Sequence, residues 1–315
     1  MLQKKPLGRS GLWVAPLSMG TLTLSPLQQN LPPERGAELI LYAASLGVTL
    51  FDTAQYYQSY PALRLALRSR PDLLVSSKSY AYDRAGAAEA LEEARREMDK
   101  DVIDIFLLHE QEDRLTLKGH REAFDYYLEM KAKGVIRAVG FSTHRIAAVD
   151  YAPRYPGVDV IHPLINRTGV GIADGTRDEM AAAIARAHSG GIGIYAMKPL
   201  GGGHLLKDPK EAFGYLRELG TIDTICCGMQ SEAEIAVNVA LAQGLSPAAE
   251  ALTECKRAER KLMIHDYCTG CGRCVARCGQ KALSIQNGQC VCNQELCVRC
   301  GYCAPVCPDF CIKIV

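Results

Sequence analysis

Two stretches near the end of the chain, CTGCGRCVARCG and CVRCGYCAPVCP, carry eight cysteines at one shared spacing. Cys268, Cys271, Cys274 and Cys278 form the first run, and Cys297, Cys300, Cys303 and Cys307 the second. The two runs are an internal repeat. Of fourteen cysteines in the chain, eleven fall after Cys255, up to Cys311. The first residues, MLQKKPLGRSGLW, lack the apolar core of a secretion signal, so a cytoplasmic, reducing setting is expected. There, clustered thiols read as metal ligands rather than disulfides. Zinc ribbons need only paired C-x2-C knuckles, which leaves half of these cysteines without a role.

The spacing resembles the C-x2-C-x2-C-x3-C run of bacterial two-cluster ferredoxins. In that arrangement three thiolates wrap one 4Fe–4S cluster while the fourth crosses to the other. The resemblance implies one set of Cys268, Cys271, Cys274 with Cys307, and a second of Cys297, Cys300, Cys303 with Cys278. Cys278 is followed by Gly279 where the run usually has proline. Cys290, Cys292 and Cys311 are then surplus, and read as small buried residues or sulfurs beside the ligands. Arg273, Arg277 and Arg299 lie inside the runs, and positive charge there favours a reduced cluster. The plainer reading of each is a solvated surface arginine.

These runs need an electron donor or acceptor, and the remaining chain offers a frame for one. Eight apolar, β-rich segments recur through residues 1–245: APLSMGT, VTLFDTA, LLVSSKS, IDIFLLH, IRAVGFS, VDVIHPL, IGIYAMK and IDTICCG. Helical stretches separate most of them. PPERGAELILYAASLG has prolines at its start. DPKEAFGYLRELG offers Asp208 as cap and Glu211 as its capping-box partner, and SEAEIAVNVALAQG offers Ser231 with Glu234. Strand and helix alternating eight times predict an α/β fold, a (β/α)8 barrel. A hairpin around Gly8 to Gly11 is expected to plug its floor. The expected division is a barrel over 1–245, a helical linker over 246–262 and a small α+β module over 263–315.

Barrels of this kind work at the carboxyl ends of their strands. Asp52 closes the second segment, Lys78 the third and His109 the fourth, and Tyr57 follows Asp52 in the next loop. A polar residue at a strand end is common; four of complementary chemistry at neighbouring ends suggest a site. Here the sequence resembles the aldo-keto reductases, in FDTAQYY, SSK, DIFLLH, the N-terminal GRSGLWVAPLSMGT and YAMKPLGGG. The resemblance spans about residues 3–245 and implies a role for each residue. Tyr57 protonates a carbonyl oxygen, Lys78 held by Asp52 lowers the tyrosine pKa, and His109 orients the carbonyl.

The resemblance also implies a nicotinamide cradle, and there the chain departs from it. Ser142 is kept, but Thr143 stands for an Asn, His162 for a Gln and Met197 for the Tyr that stacks on the ring. No Lys or Arg occurs from Glu218 to Cys255, and Glu232 and Glu234 begin the last helix, which predicts weak NADPH binding. Lys198, Gly201 and Gly202, near the helix start at Ser231, form a candidate phosphate site for a flavin or nucleotide, or a glycine turn beside a solvated lysine.

The leading expectation is an iron–sulfur oxidoreductase. Electrons pass through two 4Fe–4S clusters to a small carbonyl-type substrate, with a flavin pairing single electrons and a ferredoxin or flavodoxin as redox partner. The alternatives are an NAD(P)H-dependent carbonyl reductase with an appended ferredoxin module, and a non-enzymatic electron-transfer protein with a degenerate barrel. Charge is balanced, with 36 Lys plus Arg against 35 Asp plus Glu, so nothing recruits nucleic acid or anionic lipid. No stretch approaches the ~20 apolar residues of a membrane span.

Overall fold

The computed structural model describes residues 2–315. Eight parallel strands follow one another around a closed barrel. They are β1 Leu17–Gly20, β2 Leu50–Asp52, β3 Leu74–Ser79, β4 Ile103–Leu108, β5 Ile136–Thr143, β6 Val160–Pro163, β7 Gly193–Met197 and β8 Thr224–Gly228. β8 closes on β1 through the register Ile225↔Leu17 to Gly228↔Gly20. Seven strands lie within the apolar segments and β5 runs one residue past its own, to Thr143, because a strand covered on both faces is largely apolar.

The expected hairpin is present. Lys5–Pro6 pairs antiparallel with Trp13–Val14. Leu7, Leu12 and Val14 join Leu50, Ile105, Leu107 and Tyr195 in an apolar plug inside the barrel. The turn presses against β7 so closely that a Cβ on Gly8 would sit 2.2 Å from the Gly193 nitrogen.

Local capping is met only in part. Ser231 accepts from the Glu234 N–H at 3.2 Å, but the Glu234 carboxylate bonds the Gln230 N–H instead of closing a box. Asp208 makes no side-chain cap and Glu211 has no capping partner to answer; Pro209 alone starts that helix.

The segment after the barrel does not stand away from it. The helix Ala249–Arg257 lays Ala251, Leu252 and Cys255 on the barrel core. The following residues form two antiparallel ribbons, Leu262–Ile264 with Ile312–Ile314 and Leu283–Gln286 with Gln289–Cys292, and a short helix Arg273–Arg277. Their interior is largely sulfur: Cys274, Cys290, Cys303 and Cys311 are buried with Leu262, Leu283 and Ile312.

This C-terminal segment sits on the barrel mouth. Phe310 and Ala304 pack with Leu164, Val170 and Met197, at the ends of β6 and β7. His204 Nε2 donates to the Ile312 carbonyl at 2.9 Å. The glycine run after β7 is where the last strand lands. A Cβ on Gly202 would lie 2.7 Å from Lys313 Cδ, and one on Gly203 would lie 2.0 Å from the Ile314 oxygen. All three glycines have positive φ, which only glycine adopts freely. Gly203→Ala is therefore expected to cost about 1–3 kcal/mol and to free residues 312–315. Thermal unfolding and faster amide exchange at Ile312 and Ile314 would show it; unchanged exchange there would contradict the docking.

Candidate functional site

Asp52, at the end of β2, and Lys78, near the end of β3, form a buried ion pair at 2.8 Å, with side chains 4% and 1% exposed. The Lys78 ammonium also donates to the Thr53 carbonyl at 2.6 Å. All three donors of the ammonium are thereby used, since both carboxylate oxygens accept. Tyr57 lies in the 3-10 turn Gln55–Tyr57, which ends at Gln58 in the left-handed region. Its ring stands with Lys78 Nζ 4.8 Å from the centroid and meets His109 edge-on at 5.7 Å. Tyr56 points away and is exposed. The structure thus brings Asp52, Tyr57, Lys78 and His109 together.

Their electrostatics differ from the expectation in one respect. The tyrosine was expected to be acidified by Lys78. Instead, burial and then the Asp52 carboxylate push the Tyr57 hydroxyl well above its ordinary value. Lys78 is spent on Asp52 and has little charge left to offer. Tyr57 is therefore a neutral phenol with its proton in place. Burial, then Lys78, pushes His109 well below its ordinary value, so it is neutral, and its Nδ1 is buried without a partner. Tyr80 stacks on the His109 ring at 4.3 Å and donates its hydroxyl to Glu110 at 2.8 Å.

A cavity of about 1020 Å³ opens beside this group. Asp52, Tyr57, His162, Met197 and Lys198 line it at the barrel end, while Lys78, His109, Ser142 and Thr143 are buried and do not line it. Its far side belongs to the C-terminal segment and includes Arg299, Cys300 and Lys313. Asp52, His162 and Cys226 bring one ligand atom each within 4.8 Å of one another. Lys78 already neutralises that carboxylate, so the trio is better described as an ion pair with two neutral neighbours than as a cation site.

Several expected cofactor contacts are engaged elsewhere. The Ser142 hydroxyl accepts from the Glu110 N–H at 2.8 Å. Thr143 Oγ1 accepts from the Arg145 N–H at 2.9 Å. His162 donates Nδ1–H to the Tyr195 carbonyl and stacks on the Tyr195 ring at 3.9 Å. Met197 is buried against Phe310. The carboxamide end of a nicotinamide thus does not fit the positions that the sequence suggested. The phosphate site at Lys198, Gly201, Gly202 and Ser231 is also corrected. Gly202 receives Lys313, Ser231 caps its own helix, and Lys198 turns to Phe310 and His144.

The expected electrostatic bar to a 2′-phosphate is weakened in turn. Arg35 pairs with Glu232 at 2.6 Å, and Arg260, from the C-terminal segment, pairs with Glu234. Lys207, Lys210 and Lys256 line the cavity as well. The window from Glu218 to Cys255 contains no base, but its spatial neighbourhood does.

The family model for the aldo/keto reductase family matches residues 16–253. The chain belongs to the aldo/keto reductase family. Curated relatives include methylglyoxal reductase DkgA of Escherichia coli O157:H7, 23% identical over 182 residues, or 55% of this chain and 63% of that protein. DkgA of Salmonella typhimurium is 23% identical over 166 residues, 50% of this chain and 60% of its own length. The chain thus spans less than two thirds of these relatives. Similar solved structures include a putative aldo-keto reductase from Pseudomonas aeruginosa, at TM-score 0.65, 24% identity and 76% and 94% coverage of this chain and that one. Aldo-keto reductase AKR11C1 from Bacillus halodurans gives 0.65 at 19% identity, covering 82% and 96%. The Bombyx mori aldo-keto reductase AKR2E4, in complex with NADP, gives 0.63 at 16% identity, covering 82% and 92%.

The aldo/keto reductase match ends before both cysteine runs. Their thiols gather in two groups. Cys268, Cys274 and Cys307 act on one another, beside Cys290 and Cys311. Cys278, Cys297 and Cys303 gather around Cys292, with Cys300 next to Cys303. Backbone N–H groups of Cys290 and Ala282 donate to the sulfurs of Cys268 and Cys278. Each group holds at least three thiols of one expected set, and Cys271 is exposed. Cys290 and Cys311 lie 3.4 and 3.3 Å from a run cysteine, as neighbours in the same sulfur core. Sequence reasoning missed Tyr80, Glu110, Tyr195 and Cys226; Tyr80 and Glu110, just past the ends of β3 and β4, carried a positional signal.

Buried neutral histidines set a pH dependence. Burial lowers His109 and His144 well below 6.5, and brings His162 to about 4. Below pH 6.5 the unfolded chain takes up protons that the native state refuses, so stability falls as pH falls. Each such histidine costs the native state about 1.4 kcal/mol per pH unit in that range. A melting temperature that does not drop between pH 7.5 and 5.5 would contradict this.

Proposed function

We propose that this protein is a carbonyl oxidoreductase that works at the barrel mouth with a nicotinamide dinucleotide, and that its C-terminal segment, residues 263–315, holds two 4Fe–4S clusters. The observation that carries the first part is the placement of a neutral, half-buried Tyr57 beside the Asp52–Lys78 pair on the wall of the cavity of about 1020 Å³. Reduction of a carbonyl needs a proton on oxygen, and the Tyr57 hydroxyl is the donor that faces the cavity. Burial and the Asp52 carboxylate keep that proton on Tyr57 until it is transferred. His109 keeps a free Nδ1 behind Tyr57 and Tyr80, and substrate oxygen reaches it only when Tyr80 moves aside. A bound nicotinamide supplies hydride. Lys207, Lys210 and Lys256 are the groups suited to its phosphates. Ser142 and Thr143 are engaged elsewhere, so the carboxamide needs other contacts at the barrel mouth.

A second reading has its own observation. Cys300 lines the same cavity as Tyr57, so electrons carried by a cluster of the second thiol set would reach the site without nicotinamide. A cluster bound by these thiolates supplies electrons singly, and a flavin would pair them.

The names of the curated relatives make methylglyoxal a reasonable assay substrate. Tyr57→Phe is expected to lose about 10²-fold or more in turnover, and Tyr56→Phe far less. The reverse ranking would move the proton donor. Calorimetric titration of the anaerobic protein with NADPH and NADH tests the hydride reading; activity with reduced ferredoxin but neither nucleotide would promote the second. Iron and acid-labile sulfide should each approach about eight per chain, and zinc without iron would end the cluster assignment.

A further inference from the structure

Two lysines on the seam between barrel and C-terminal segment lack an anion. Lys198 follows β7 and holds a positive φ of 60°. Its ammonium lies 3.3 Å from His144 Nε2 and 5.2 Å from the Phe310 ring centroid. Lys313 is on the last strand, 5% exposed, with its ammonium 3.1 Å from the same centroid and donating to the Phe310 carbonyl. Among the described residues neither makes a salt bridge. Glu110 is the nearest acid, but its carboxylate takes the Tyr80 hydroxyl and faces His144 at 3.8 Å.

A buried charge without a counter-charge is costly, and native proteins rarely keep one. Lys313 is one such charge, and the half-buried Lys198, from a segment far apart in sequence, shares its Phe310 contact. Burial pushes both lysines down, and Lys198 pushes Lys313 down further; Glu110 favours the charged form of both, and the sulfurs of Cys307 and Cys311 favour that of Lys313. Phe310, which both ammoniums face, donates its N–H to the Cys307 carbonyl at 3.3 Å, and the Cys307 sulfur lies 3.3 Å from that of Cys311, two residues before Lys313, so the first thiol set borders this seam. A 4Fe–4S unit held by four thiolates is a net anion.

We propose that Lys198 and Lys313 are the counter-cations of the cluster on the Cys268, Cys271, Cys274 and Cys307 set, and hold its reduction potential above that of the other cluster. This rests on the cluster assignment made above. The barrel thereby tunes a group bound entirely by the other segment, through Lys198. Positive charge beside a cluster favours its reduced form, and a low-dielectric seam strengthens the effect. The alternative is that both lysines only dock the segment through Phe310.

The test is an EPR-monitored redox titration of the full-length anaerobic holoprotein, after iron and sulfide have been counted. Lys198→Met and Lys313→Met should each lower one of the two midpoint potentials and leave the other in place. A tenfold loss in the reduction equilibrium corresponds to 59 mV for one electron, and at least that is expected. Lys198→Arg should keep the native value. Amide exchange at Ile312 and Ile314 reports docking separately. Loss of protection in Lys198→Met with both potentials unchanged would establish a docking role only and overturn the proposal. Equal shifts of both potentials would overturn it too. A protein without iron would overturn the cluster assignment itself, and the counter-cation role with it.

Discussion

The buried pair of Lys78 and Asp52 is the interaction on which the mouth of this barrel is arranged. Both charges are almost fully removed from water, so neither tolerates loss of the other; breaking such a pair typically costs about 3–5 kcal/mol. The pair joins the ends of β2 and β3, and through the Thr53 carbonyl it anchors the chain entering the Tyr57 turn. Tyr195 and His162 pack on the same carboxylate from β7 and β6. Four strands thus converge on one carboxyl group. The proton of Tyr57 follows from the same constraint: an ammonium already paired leaves the phenol to respond to burial and to Asp52.

The C-terminal segment completes this site as much as it adds to it. Family members of this fold present a barrel mouth; here Phe310, Lys313 and Ile314 rest on it. Glycines that would suit a phosphate instead admit backbone and side chain of the last strand. The cavity is therefore walled by two segments, and its basic groups are shared between them. Arg260 shows the economy of the arrangement, since one side chain both ties the segment to the last barrel helix and removes the charge of Glu234.

Sulfur takes the place of an apolar core in that segment. So few residues bury little surface, and domains of this size usually need metals or disulfides to persist. Nine cysteines lie in or against its interior, beside only a handful of apolar side chains.

The eight strands were legible because burial on both faces leaves an apolar run that no loop imitates. The barrel then placed Asp52, Lys78 and His109 at adjacent strand ends, as their positions in the segments required. The two cysteine runs were legible as a repeat, since two residues between cysteines is a property of the chain. What the chain could not reveal was long-range. Ile312 meets His204 across 108 residues, and Arg260 meets Glu234 across 26; no local pattern encodes either. A window read for basic residues saw none, and the glycine run read as a phosphate turn, because the partners lay elsewhere in the sequence. The acidity of Tyr57 was misjudged for the same reason: spacing can place a lysine near a phenol, but only the packed structure decides which neighbour receives its charge.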